Sequence, residues 1–158
     1  MIAASQRTQL HASVTLAQLN DGNGVRLQPG LPDLDVTFRD GSTLQIDLDS
    51  IDGESASLGQ LLEAINAADP ARLLAQISAD GDRLELVDLT SDSGGTYSDS
   101  SPAGGRLAED LGVTGSAGGD TITGQRLLGG LNSVLLSSLD GGEGILGLGQ
   151  LDLTDRTG

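Results

Sequence analysis

The apolar residues of this chain change period twice, and that change limits the folds open to it more than any other feature. Leu34, Val36 and Phe38 alternate with Asp35, Thr37 and Arg39, the period of two that turns one face of a strand inward. Asp40-Gly41 follows as a hairpin signal, and Leu44, Ile46 and Leu48 alternate with Gln45 and Asp47 on its far side. At Ser57 the period lengthens. Leu58, Leu61, Leu62, Ile65 and Ala68 fall on one helical stripe, with Ser57 and Gln60 spaced as a capping box and Pro70 as a stop. The period then returns to two, with Leu73, Ala75 and Ile77 on one arm, Asp80-Gly81-Asp82 at the tip, and Leu84 and Leu86 on the other arm. The predicted fold class is α+β: a ββαββ unit in which one helix packs on a small antiparallel sheet, joined by Gly/Ser-rich loops.

Around this unit the pattern is weaker. Leu16 and Leu19 have helical spacing and are followed by Gly22-Asn23-Gly24, which ends a short helix, while Pro29 and Pro32 keep the next connection extended. Residues 90–105 (TSDSGGTYSDSSPAGG) are nearly all Ser, Gly, Asp and Thr and are predicted to form a mobile loop. Leu107 and Leu111 then make one helical turn closed by Gly112. The chain also aligns with itself: the stretch from Val14 through Leu16, Leu19, Gly22 and Gly24 to Val25 falls on Val134, Leu136, Leu139, Gly142, Gly144 and Ile145. After a register change, Leu34–Gly41 matches Leu151–Gly158. The expected organisation is an unpatterned stretch at 1–13, a unit at 14–113, a Gly-rich linker at 114–133 and the start of a second copy at 134–158.

Composition removes several function classes. With Phe38 and Tyr97 as its only aromatic residues, the core has to be aliphatic, and modules that stack sugars or single-stranded nucleic acid on aromatic platforms are excluded. The net charge of −15, from 23 acidic residues against eight arginines, makes nucleic acid and anionic membrane poor partners. There is no cysteine for a disulfide or a thiolate metal site. Residues 1–13 lack the basic start and apolar block of a cleaved secretory signal, and no apolar run is long enough to span a bilayer. If the protein is exported, its export signal is expected to be of another type or to lie outside this stretch.

Candidate chemistry is sparse. His11 is the single histidine, so neither a triad nor a zinc site is expected, and no catalytic, cofactor-binding or metal residue is assigned. Gly22-Asn23-Gly24 is followed by no lysine that could serve a phosphate. Asp47, Asp49, Asp52 and Glu54 around Gly53, and Asp80 and Asp82 around Gly81, carry the oxygen ligands calcium takes. Neither group has a closing twelve-residue loop, and Asp-Gly is also plain hairpin chemistry.

Taken together, several segments resemble the flagellin hook motif of flagellins and of flagellar hook-associated and filament-cap proteins. They are Leu16-x-x-Leu19-Asn20-x-Gly-x-Gly-Val25, Val36-x-Phe38-x-Asp40-Gly, Ile46-Asp-Leu48, Leu61-Leu-x-Ala-Ile65-Asn66-Ala-Ala68, Ile77-x-x-Asp80-Gly-Asp-x-Leu84-x-Leu86-x-Asp88, Ser93-Gly-Gly and Ala108-x-Asp110-Leu-Gly-Val113. The resemblance implies a surface-exposed, non-enzymatic module of a filament-forming protein, extracellular and exported without a cleaved signal. Its implied partners are other subunits of the same filament or other flagellar proteins. Polymerisation in such proteins belongs to long terminal heptad helices that this stretch lacks, so a piece of a longer polypeptide, monomeric in isolation, is expected. The alternative expectation is a repeat of a large acidic cell-surface adhesin stiffened by calcium.

Overall fold

The protein is described here from a computed structural model, covering residues 9–91 and 93–128. The second copy from Val134 onward lies outside the described residues. Within them the fold is α+β, with two antiparallel sheets and one main helix around a single aliphatic core.

The first hairpin forms as its periodicity dictates. Strand β1 (Leu34–Thr37) pairs with β2 (Thr43–Ile46) in the register Leu34↔Ile46 and Val36↔Leu44, burying Leu34, Val36 and, just beyond the strand, Phe38. The turn is held by Asp40, whose Oδ1 accepts the Ser42 N–H at 2.8 Å and the Ser42 hydroxyl at 2.6 Å. Gly41 supplies the positive φ of 84° that a side chain would resist.

Helix α1 (Leu58–Ala68) starts at the expected capping box: Gln60 N–H donates to Ser57 Oγ at 3.3 Å and Ser57 N–H to Gln60 Oε1 at 2.9 Å. Leu58, Leu61 and Ile65 of its stripe are buried, whereas Ala68 at its end is exposed. The second hairpin joins β3 (Leu73–Ile77) to β4 (Leu84–Asp88), with Leu73↔Asp88 and Ala75↔Leu86 opposite each other.

The two hairpins do not share a sheet. Each instead recruits later chain onto its open edge. Strand β5 (Tyr97–Ser100) adds to β1 and is followed by β6 (Gly115–Ala117), giving the order β2-β1-β5-β6. Strand β7 (Thr121–Thr123) adds to β4, giving β3-β4-β7. Between them, α2 (Leu107–Asp110) buries Leu107 and Ala108 and ends at Gly112.

These additions correct two expectations. The predicted mobile loop at 90–105 contains β5, a strand with partners on both sides, because backbone groups pair whatever side chains they carry. The predicted linker at 114–133 contains β6 and β7, which places Ile122 and Leu127 in the core. The described residues ahead of the first helical turn are also engaged: Leu10 is 3% exposed, and the carbonyls of Ala12 and Val14 accept the N–H groups of Gly59 and Leu58, both at 2.8 Å.

Candidate functional site

The acidic residues that the sequence offers as calcium ligands do not converge. Asp47 Oδ1 accepts the Asp49 N–H at 2.9 Å, and both oxygens of Asp49 accept the Gly30 N–H at 2.8 and 3.0 Å. Asp52 accepts the Glu54 N–H at 3.0 Å and the Ser55 hydroxyl at 2.7 Å, bonds that hold its carboxyl below the usual range. Asp80 is exposed, while Asp82 turns inward and takes Nε and a terminal nitrogen of Arg126 at 3.1 and 2.9 Å. Among the described residues no three acidic or histidine side chains gather closely enough to hold a metal ion. His11 is exposed.

One groove of about 520 Å³ runs between the turn at 22–24 and the turn at 53–54, lined by Ala17, Gly22, Asn23, Gly24, Val25, Leu27, Gly53 and Glu54. Its polar side chains are one amide and one carboxylate, with no second titratable group beside Glu54 to act as its acid or base partner. Among the described residues no helix is long and apolar enough to cross a membrane.

The polar residues with the most developed surroundings lie inside the fold. Asp110 of α2 reaches back to the segment before β1: Arg26 donates to it through its backbone N–H at 2.8 Å, through Nε at 2.9 Å and through a terminal nitrogen at 2.5 Å. The same turn is held from the other side by Asn20, whose amide donates to the carbonyls of Gly24 and Asp110, both at 2.8 Å. Residues 84 and 90 positions apart are thereby joined.

Asp88, at the end of β4, ties the second hairpin to the first. Its oxygens accept the backbone N–H groups of Arg39 at 2.8 Å and Thr90 at 2.7 Å, and Arg39 Nε lies 3.3 Å away. Burial alone would raise this carboxyl, yet the bonds from Thr90 and Arg39 together bring it below the ordinary range. Asp33, 1% exposed, accepts the N–H groups of Gln28 at 2.7 Å and Leu48 at 2.9 Å. Burial nonetheless keeps it above the ordinary range, with the charges of Asp47 and Asp49 adding to the effect.

Helix α1 is stitched to β3 by Asn66, whose Oδ1 accepts the Ala75 N–H at 2.6 Å and whose Nδ2 donates to the Ala75 carbonyl at 3.0 Å. Behind it, Arg72 lies 5.0 Å over the Phe38 ring, and Phe38 stacks on Tyr97 at 6.3 Å between centroids.

Asp99 of β5 is the exception among the buried acids. It is 2% exposed, and neither of its oxygens has a partner at good hydrogen-bond geometry, the Ser100 N–H being the one donor near enough to act on it. Burial holds its carboxyl well above the ordinary range; the Ser100 N–H offsets a little of this, and the charges of Glu109 and Asp35 push the same way as burial.

Sequence periodicity held a signal for two of these residues. Asp88 is in phase with the inward-facing Leu84 and Leu86, and Asp99 with Tyr97. An acid on the buried phase of a strand is either clamped by donors or uncharged. Asn20, Asp33, Asn66 and Asp110 carry no such signal, because each has at least one partner on a segment that only the fold brings near.

No protein-family model, curated protein or solved structure matches the chain.

Proposed function

We propose that this chain is a structural module of an exported bacterial filament, of the flagellar filament or hook-associated type, acting by packing and self-association rather than by catalysis. The observation that carries the reading is the use made of the polar residues in the resembling segments. Asn20 and Asp110 close one end of the unit, Asp88 ties hairpin to hairpin, and Asn66 fixes the helix to β3. Each of these side chains bonds the protein's own backbone. A motif whose polar positions secure a shape supports a role in presenting that shape. The exposed face is left acidic, in keeping with a module that stays soluble before it is assembled.

The test is immunogold electron microscopy with antibody raised against residues 14–113, on cells with intact and with sheared flagella. Label on the filament, its tip or the hook junction that disappears on shearing is the expected result. Label over the cell body that survives shearing would replace this reading with the surface adhesin.

A further inference from the structure

Strand β5 sits at the centre of the four-stranded sheet, bonded to β1 on one side and β6 on the other, and it carries a buried acid with nothing to neutralise it. Asp99 stands opposite Val36 of β1 and Gly115 of β6, neither of which offers a side-chain donor. The charged groups around it have its own sign: Asp35 on β1 and Glu109 on α2. Asp110 on the same helix is already taken by Arg26. Strands β6 and β7 contribute only Gly, Ser, Ala, Thr and Ile. On β5 itself, Tyr97 is buried with its hydroxyl unpartnered.

An ionised carboxylate here would be a buried charge without counter-charge, which a protein avoids by keeping the group neutral or by moving it to water. We propose that Asp99 is a proton-held latch: β5 stays seated between β1 and β6 while the carboxyl carries its proton, and losing that proton loosens the strand. Release of β5 would also slacken α2, since Ser101 just beyond the strand accepts the Ala108 N–H at 2.9 Å and donates to Glu109 at 2.6 Å. The three-stranded sheet does not include β5 and would outlast it.

The direction of the effect follows from linkage. Between the ordinary value of 3.8 and its raised value in the fold, Asp99 is protonated in the folded chain and ionised in the unfolded one. Stability from this group is therefore greatest in acid and declines as pH rises through that window, then levels off above it. Within the window the folded-to-unfolded ratio falls by about tenfold per pH unit.

The test compares urea midpoints of the full chain and of Asp99→Asn across pH 4 to 9, in excess EDTA and in excess calcium. The Asn side chain keeps the shape and is never charged. Asp33, which is also raised by burial, contributes equally to both proteins, so the difference between the curves belongs to Asp99. The expected difference grows in favour of Asp99→Asn as pH rises, with faster exchange of the β5 amides in the parent at the alkaline end. Parallel curves would overturn the proposal. So would calcium restoring the parent, but not the variant, at high pH, because the missing partner would then be a metal ion rather than a proton. Should Asp99→Asn fail to fold, a pH titration of the ¹³C shift of the Asp99 carboxyl in the parent decides: a midpoint above the ordinary value of 3.8 is expected, and one at or below it rules the latch out.

Discussion

The two sheets each bury an aspartate in a strand, and they treat it in opposite ways. In the three-stranded sheet, Asp88 is surrounded by donors from Arg39 and Thr90 and holds two hairpins together as an anion. In the four-stranded sheet, Asp99 has only the Ser100 N–H near it, too poorly placed to clamp it, and is favoured as the neutral acid. The residue type and the depth are the same, so neither decides the role. What differs is whether the neighbouring backbone turns its N–H groups toward the carboxyl. The chain bends around Asp88 at Arg39 and Thr90, whereas Asp99 lies mid-strand, where backbone N–H groups are directed at β1 and β6.

The harshest test of the contrast is to place a charge where neither arrangement can serve it. Phe38→Asp or Ile65→Asp puts an unpaired carboxylate among aliphatic side chains, and loss of the cooperative urea transition is expected; an unchanged midpoint would refute the described core. Next, Asp88→Ala removes an anion together with the acceptor it supplies to the backbone N–H groups of Arg39 and Thr90. A loss of about 3 kcal/mol is expected from chemical denaturation at pH 7.

Asp99→Asn moves stability the other way, with a gain of about 1 kcal/mol or more at pH 8. The pH profiles sharpen this difference. Asp88 is lowered in the fold, so its contribution is present above the ordinary value of 3.8 and is lost as pH falls through its folded-state value. Asp99 works in reverse, so the two substitutions should tilt the profile in opposite senses. Tyr97 offers a direct probe, being the chain's one tyrosine. Burial pushes its phenol upward, and the tyrosinate absorbance band should emerge only as the four-stranded sheet opens. The smallest effect lies away from both acids: Ser57→Ala removes the α1 cap and should lower stability by about 1 kcal/mol without changing either pH slope.

Much of the fold was legible because the signals behind it are local. The alternation at Leu34–Phe38 and Leu73–Ile77, the Asp40-Gly41 turn and the Ser57–Gln60 cap each specify their own geometry within a few residues. Strands β5, β6 and β7 were hidden because their sequences, YSDS, GSA and TIT, are short and mostly polar. They are strands because β1 and β4 offer open edges, a fact about the assembled hairpins rather than about these residues. The close approach of Gly95 to the Arg39 carbonyl, where a Cβ would collide, belongs to the same class. It reads as loop glycine until the partner segment is known. Of the candidate site, the acidic turns were visible in the sequence; Asp47 and Asp52 cap their own turns, whereas Asp49 and Asp82 bind Gly30 and Arg126. The interior clips were not visible, since Asn66 and Asp110 bond segments that no local pattern connects to them.

The stitch between Asn66 and Ala75 has a consequence for how copies of this protein meet. Strand β3 is the outer member of its sheet, the place where a foreign strand could dock and begin cross-β growth. Along that rim the Leu73 N–H is bound by the Asp69 carbonyl at 3.0 Å, and both backbone groups of Ala75 are occupied by Asn66. A neighbouring copy finds the ladder positions at the Leu73 N–H and at Ala75 already taken. When such modules are crowded, a strand docking along this stretch has to break those bonds first, which disfavours cross-β growth from the middle of that edge.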